Sequence, residues 1–157
     1  MHYILDTNVL SAIFKHYFFD SFPTFWTKFD ALVSSRAIYS VREVYNEIKA
    51  VNRDDSLEKW AKVYRDFFKD PIPEELQFIT AIFNVPHFRQ NLARKKLLHG
   101  GAYADPFIIA KAKIDNATVI TQEKFKPNGT QIPAICKRFD IPYLDLEGFL
   151  KKENWVF

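Results

Sequence analysis

Short apolar segments alternate with amphipathic helical patterns along most of this chain. The segments at 3–6, 37–40, 117–121 and 141–144 are predicted strands, and a helical pattern follows each of them. Parallel strands need a long crossover connection, which is usually a helix. The alternation therefore predicts an α/β fold with a mainly parallel central sheet flanked by helices. Such sheets hold their working residues beyond the carboxyl ends of the strands.

The helices are predicted from apolar residues spaced three and four positions apart. Thr7 and Asn8 are the expected caps of a first helix that begins near Val9. The later helices are expected at 22–33, 42–51, 57–68, 105–115, 132–139 and 147–152, with two shorter ones before the Gly100-Gly101 turn. Because no repeat, low-complexity tract or linker interrupts this pattern, we predict one domain over residues 1–157.

Composition limits the classes of protein that fit this chain. With 48% hydrophobic and 26% charged residues, its 157 residues match an ordinary soluble globular domain. No apolar stretch approaches a membrane span, and the first residues run into a strand pattern rather than a signal peptide. The only cysteine, Cys136, excludes an internal disulfide framework and suits a reducing compartment. We therefore expect a cytoplasmic protein, whose net charge of +3 permits a polyanionic partner without requiring one.

Acidic residues stand at or near the ends of three predicted strands. Asp6 ends the first strand, and Glu123 follows the segment that closes with Thr121. Asp105 begins a helix and shares the face of Ile108, which is expected to pack inward. Each residue also has an ordinary interpretation. Asp6 and Asp105 suit helix caps, and Glu123 suits a solvated surface position.

Glu43 and Glu47 lie four residues apart on the third predicted helix. At about 100° per residue, Glu47 is expected nearer the buried stripe and Glu43 nearer solvent. We therefore choose Glu47 for the site and keep Glu43 as the alternative.

The carboxylates are more informative together than singly. Four of them at one end of a sheet would repel strongly unless protonated or neutralised by a cation. An all-oxygen ligand set suits Mg²⁺ or Mn²⁺ rather than zinc. The histidines show no ligand spacing; they are His2, His16, His87 and His99. Such an acidic site suits phosphodiester hydrolysis, because a bound metal neutralises the phosphate and activates water.

Four motifs occur in order along the chain: Leu5-Asp6-Thr7-Asn8, Val44-Tyr45-Asn46-Glu47-Ile48, Ala104-Asp105-Pro106-Phe107-Ile108-Ile109-Ala110 and Val119-Ile120-Thr121-Gln122-Glu123-Lys124-Phe125. Together they resemble the PIN-domain superfamily, and most closely a PIN-like branch with an Ala-Asp-Pro third motif. The pattern of that branch continues here to Leu144-Asp145-Leu146. The resemblance covers essentially the whole chain.

The resemblance implies a Mg²⁺- or Mn²⁺-dependent endoribonuclease, often the VapC-type toxin of a toxin–antitoxin pair. Carried over by motif, the metal ligands would be Asp6, Glu47 and Asp105, and Glu123 would be the fourth acidic catalytic position. Asn8 and Thr121 would support the site by hydrogen bonding. Many relatives have Asp where Glu123 stands, so both direct ligation and an indirect role remain open there.

Other classes were weighed against this interpretation. Four glycines without a Gly-x-Gly-x-x-Gly segment exclude a dinucleotide-binding enzyme, and no P-loop is present. A phosphoaspartyl phosphatase or receiver-like domain also uses an aspartate at a strand end. However, Asn8 stands where the phosphatase needs a second Asp, and no acidic pair precedes Asp6. A third alternative is a catalytically inactive module that binds RNA or protein.

Two segments have candidate partners. Arg94, Lys95 and Lys96 suit contact with an RNA backbone, although a short basic run is more often a solvated helix face. The aromatic stretch from Phe14 to Phe29 is expected to be mainly core. Part of it is predicted to contact an antitoxin or a second copy of the chain.

Overall fold

Five strands and nine α-helices make up the described part of the computed structural model, residues 1–51, 55–98 and 103–157. The strands are β1 (Tyr3–Leu5), β2 (Ile38–Val41), β3 (Phe68–Lys69), β4 (Thr118–Ile120) and β5 (Tyr143–Leu144). The helices are α1 (Thr7–His16), α2 (Pro23–Ser34), α3 (Arg42–Val51), α4 (Ser56–Val63), α5 (Pro73–Phe83), α6 (Pro86–Leu98), α7 (Asp105–Asp115), α8 (Ile132–Arg138) and α9 (Leu146–Lys152). The predicted Gly100-Gly101 turn and His99 lie outside the described residues.

The strands form one parallel sheet in the order β3-β2-β1-β4-β5. The expected α/β fold with a parallel sheet is therefore confirmed. β1 is central and wholly buried, and α7 packs across β1, β2 and β4. Since both faces of such a sheet are covered, its strands are continuous apolar runs rather than alternating ones.

The order of the strands creates a switch point between β1 and β4. From β1 the chain builds outward through β2 to β3, and later elements add β4 and β5 on the other side. Ligands in open α/β sheets bind outside the carboxyl ends of the strands at such a point. The residues that follow Leu5 and Ile120 therefore occupy the position where a site is expected.

The helix predicted at 57–68 was wrong in its second half. α4 ends at Val63, a 3₁₀ turn spans Arg65–Phe67, and Phe68 begins β3. Phe68 pairs with Ser40 of β2 and extends the sheet by one edge strand. Periodicity could not reveal this, because the apolar residues of the segment keep helical spacing into the strand; they are Leu57, Trp60, Ala61, Tyr64, Phe67 and Phe68.

The described helices are all too short or too polar to cross a membrane. The longest, α6, has 13 residues and carries basic side chains in its last turn.

Candidate active site

Asp6 lies at the switch point and is 4% exposed. Its Oδ1 accepts a 2.7 Å hydrogen bond from the backbone N–H of Thr7, and its Oδ2 accepts a 2.8 Å bond from the Thr121 hydroxyl. Asp6 itself caps α1, so the predicted caps Thr7 and Asn8 were wrong. The carboxylate is thus held between the carboxyl ends of the two central strands.

The loop after β4 is fastened to the start of α1. Asn8 Oδ1 accepts a 3.1 Å bond from the N–H of Gln122, and the N–H of Glu123 donates to the Thr121 hydroxyl oxygen at 3.2 Å. Glu123 Oε2 accepts a 2.8 Å bond from the N–H of Ile132, the first residue of α8. Asn8 and Thr121 therefore connect the loop after β4 to the start of α1 by hydrogen bonds. Glu123 therefore holds the start of α8, and its charge also raises the pKa values of Asp6 and Asp105.

Glu47 connects three segments around Asp6. Its Oε1 accepts a 2.6 Å bond from the N–H of Ala104, and its Oε2 accepts a 3.2 Å bond from the Thr7 hydroxyl. Ala104 immediately precedes Asp105. Glu47 therefore ties the start of α7 to the start of α1.

The predicted exposure of the two glutamates on α3 was wrong. Glu43 is 8% exposed, whereas Glu47 is only half-buried. Glu43 lines a cavity together with Ile79 of α5 and Leu92 of α6. A helical wheel drawn from α3 alone cannot show that other helices cover this flank.

Asp105 is the first residue of α7 and is 6% exposed. It does not cap the helix: Ala104 is the cap residue, and no side-chain capping hydrogen bond is present there. Instead, Asp105 Oδ2 accepts a 2.6 Å hydrogen bond from the buried hydroxyl of Tyr103. The ordinary explanation of this aspartate as a helix cap therefore fails.

The carboxylates act on one another electrostatically. Burial raises the pKa of Asp6 to about 7, and the negative charges of Glu123 and Glu47 contribute to this increase. The hydrogen bonds from Thr121 and Thr7 lower the pKa and offset part of the increase. Burial, and then the charges of Asp6 and Glu123, raises the pKa of Asp105 well above its usual value. Two buried acids with raised pKa values in one place are typical of functional sites.

The donor atoms of this group are all oxygens, which is the ligand chemistry of Mg²⁺ and Mn²⁺. Among the described residues, no three His, Cys, Asp or Glu side chains surround one point as a ready-made metal cluster. The carboxylates are instead turned toward hydrogen-bond donors of the protein. Each oxygen keeps a further lone pair, and the pKa values of Asp6 and Asp105 remain raised despite the hydrogen bonds. In type and charge, the residues fit a hard divalent cation.

Sequence reasoning missed two residues that orient the acids, Thr7 and Tyr103. Thr7 donates to Glu47, and Tyr103 donates to Asp105. A buried tyrosine hydroxyl usually finds a partner, and Tyr103 stands two residues before Asp105. The position of Tyr103 close to Asp105 in the sequence was the available indication that its hydroxyl orients the carboxylate.

The basic residues of α6 point in different directions. Lys95 donates to the carbonyl of Thr130 at 3.4 Å, and its charge lowers the pKa of Asp105. Lys96 is exposed and lines the same cavity as Glu43, whereas Arg94 is simply exposed. Lys95 and Lys96 are therefore near the candidate site.

The aromatic stretch divides between core and surface. Phe25, Trp26 and Phe29 are buried, as expected for a core. Phe18 and Phe19 are 60% and 51% exposed. Two large rings of this segment are therefore exposed in the part of the chain that the structure describes.

A family model described as Domain of unknown function (DUF4411) matches residues 3–157. The matched range includes β1, α3, α7 and the loop after β4, which carry the candidate acidic residues. No curated protein and no solved structure matches the chain.

Proposed function

The chain belongs to the DUF4411 family, and we propose that it is a metal-dependent endoribonuclease of the PIN-like type. One observation carries the proposal: at the switch point of the sheet, burial and neighbouring acidic charges raise the pKa values of both Asp6 and Asp105. Buried like charges oppose folding unless something compensates them. A divalent cation would provide that compensation and would also attract an anionic phosphodiester substrate.

The residues of the chain have distinct proposed roles in this reaction. Asp6, Glu47 and Asp105 would hold Mg²⁺ or Mn²⁺, and Glu123 would act as the fourth acidic group. When bound, the metal neutralises the scissile phosphate and lowers the pKa of a water molecule. Thr121 and Tyr103 orient the two aspartates by donating hydrogen bonds to one oxygen of each. These bonds favour the ionised acids that a cation requires.

A nucleic acid is the proposed substrate class because cationic side chains lie beside the acids, and the resemblance to PIN-like nucleases implies RNA. The charge of Lys95 reaches Asp105, and Lys96 lies at a neighbouring cavity. Arg94 adds an exposed cation on the same helix. Lysine and arginine side chains supply most of the sequence-independent affinity for nucleic acids.

We further propose that the enzyme works in the cytoplasm as the toxin of a toxin–antitoxin pair. Cys136 is buried and free, which supports a reducing compartment. The exposed rings of Phe18 and Phe19 support contact with an inhibitory protein or a second copy of the chain. The test of this role is a search for a small protein encoded beside this one. Such an antitoxin should co-purify with the enzyme and block its cleavage of RNA.

The activity itself is tested with purified protein and single-stranded RNA. We expect cleavage with Mn²⁺, none with excess EDTA, and none from Asp6→Asn or Asp105→Asn. Glu147→Gln on α9 is a matched control, since Glu147 is exposed and forms an ion pair with Lys151 on its own helix, whereas the carboxylate site lies on other elements. Cleavage that persists in EDTA or in both aspartate variants would contradict the proposal. Covalent phosphate on Asp6 would favour a phosphoaspartyl enzyme instead.

A further inference from the structure

A cavity of about 360 Å³ opens beside the carboxylate site, between α3, α5, α6 and α7. This volume falls within the range of about 300–1,000 Å³ that is typical of ligand pockets. Its walls combine apolar and aromatic side chains with a few polar ones from α3 and α6. Such a lining suits a flat, partly polar ligand better than a metal ion or a free phosphate.

The polar side chain of interest in this cavity is that of Glu43. Its Oε1 forms a 2.7 Å ion pair with Arg42, whereas its Oε2 is buried and has no hydrogen-bond partner among the residues that the structure describes. An unsatisfied buried acceptor is costly and therefore rare in native proteins. The terminal torsion of a glutamate is broad, so a rotation can turn this oxygen toward a ligand in the cavity. Glu43 thus has one oxygen held by Arg42 and one that can still accept a hydrogen bond.

Aromatic rings provide the flat surfaces of the cavity. Phe83 of α5 and Phe107 of α7 are half-buried, and Tyr103, which lines the same cavity, is buried. Nucleobases stack on such rings when a protein binds single-stranded RNA.

We propose that the cavity binds a guanine base of the RNA substrate, an inference that rests on the proposed ribonuclease function. The Watson–Crick edge of guanine presents two adjacent donors, N1–H and the N2 amino group. In adenine and cytosine, a ring-nitrogen acceptor lies beside the amino group, and in uracil, carbonyl oxygens flank N3–H. A carboxylate accepts from the guanine edge without facing an acceptor. The amide of Asn46, which also lines the cavity, can donate to guanine O6.

The cavity and the acids share structural elements. Tyr103 lines the cavity and donates its hydroxyl to Asp105 at 2.6 Å. Glu43 and Glu47 lie one turn apart on α3. A guanine held by Glu43 therefore leaves the adjoining phosphodiester beside Asp105, with Lys96 available for a phosphate. The bound guanine would thereby determine which phosphodiester bond of the RNA reaches the carboxylate site.

Binding is measured by fluorescence anisotropy in EDTA, which prevents metal-dependent cleavage. The probes are four uridine-rich single-stranded RNAs that differ only in one central base. We expect the parent protein to bind the guanine probe at least about tenfold more tightly than the others, the size of a good base-specific hydrogen-bonded contact. Glu43→Gln should abolish this preference, because it replaces an acceptor oxygen with a donor, and the amide should favour adenine and cytosine, in which an acceptor lies beside the amino group.

Three further variants complete the test. Asn46→Ala changes an exposed side chain and should weaken the guanine preference even if Glu43→Gln fails to fold. Lys96→Ala should weaken binding of all four probes equally. Glu147→Gln should change nothing. Equal affinity of the parent for all four probes would overturn the inference, and so would a preference that survives both Glu43→Gln and Asn46→Ala.

Cleavage assays separate this inference from the proposed function. Mn²⁺-dependent cleavage without any guanine preference would refute the base site and leave the ribonuclease standing. A guanine preference without any metal-dependent cleavage would refute the ribonuclease, and the cavity would then belong to a binding module.

Discussion

The Thr121 hydroxyl donates a 2.8 Å hydrogen bond to Oδ2 of Asp6, and so joins the residues that directly follow the two central strands. The parallel register pairs Leu5 with Ile120, so the next residue of each strand lies beside the other. Residues 115 positions apart thereby meet at the switch point. The hydrogen bond favours ionised Asp6, whereas burial and the neighbouring acids oppose ionisation.

The stability of the metal-free protein should fall as pH rises. The pKa of Asp6 is raised from 3.8 to about 7, so its stabilising contribution is complete below pH 3.8 and is lost as pH rises through about 7. The raised pKa of Asp105 acts in the same direction. Asp6→Asn removes the charge at similar volume and should increase the free energy of unfolding at neutral pH, on the order of a few kcal/mol at most. Urea denaturation in EDTA at several pH values measures this.

A severe loss of stability in Asp6→Asn at neutral pH would contradict this expectation and would make Asp6 chiefly a helix cap. Glu147→Gln should stay within about 0.5 kcal/mol of the parent protein at every pH.

Divalent metal should stabilise the parent protein because it binds the folded acids. At a hundredfold excess over Kd, Mn²⁺ should add about 2.7 kcal/mol to the free energy of unfolding. Asp6→Asn and Asp105→Asn should gain much less, since each removes one carboxylate from the site. Thermal melts with Mn²⁺ and with EDTA give the comparison. A full metal-induced shift in both variants would place the metal elsewhere in the protein.

Tyr103→Phe should displace the pH profile of cleavage. The Tyr103 hydroxyl lowers the pKa of Asp105, so its removal raises that pKa further. If ionised Asp105 is needed, the acidic limb of the rate profile moves to higher pH, while the plateau at high pH is largely retained. A merely structural tyrosine would lower the rate at every pH and leave the limb in place. Steady-state rates across the pH range distinguish these outcomes.

Glu47→Gln and Glu43→Gln should differ in kind. The charge of Glu47 raises the pKa of Asp6, and its carboxylate accepts a hydrogen bond from the N–H of Ala104, the residue before Asp105. Its substitution should therefore lower turnover more than about a hundredfold. Glu43→Gln should retain cleavage of RNA with altered base preference. Matched turnover assays on one guanine-containing RNA and one adenine-containing RNA provide the measurement. Greater damage to turnover from Glu43→Gln would show that the acidic site is centred on the other glutamate.

Much of this protein follows from local sequence. Apolar strands of four or five residues between amphipathic helices predicted the parallel α/β sheet, because burial on both faces requires continuous apolar runs. The position of Asp6 also followed, since a residue at the carboxyl end of a central strand lies at the ligand-binding edge. These inferences depend on periodicity and chain direction, which the sequence contains by itself.

Other features depend on contacts between distant segments, which periodicity does not record. Phe68 keeps helical spacing with the residues of α4, yet it begins β3 because it pairs with the edge of β2. Glu43 is buried because α5 and α6 cover its flank of α3, against the expectation from the helix alone. Glu47 accepts a hydrogen bond from the N–H of Ala104, and Thr7 donates one to Glu47 across 40 positions. Only the tertiary structure determined these partners, because it places the surfaces that bury and pair each side chain.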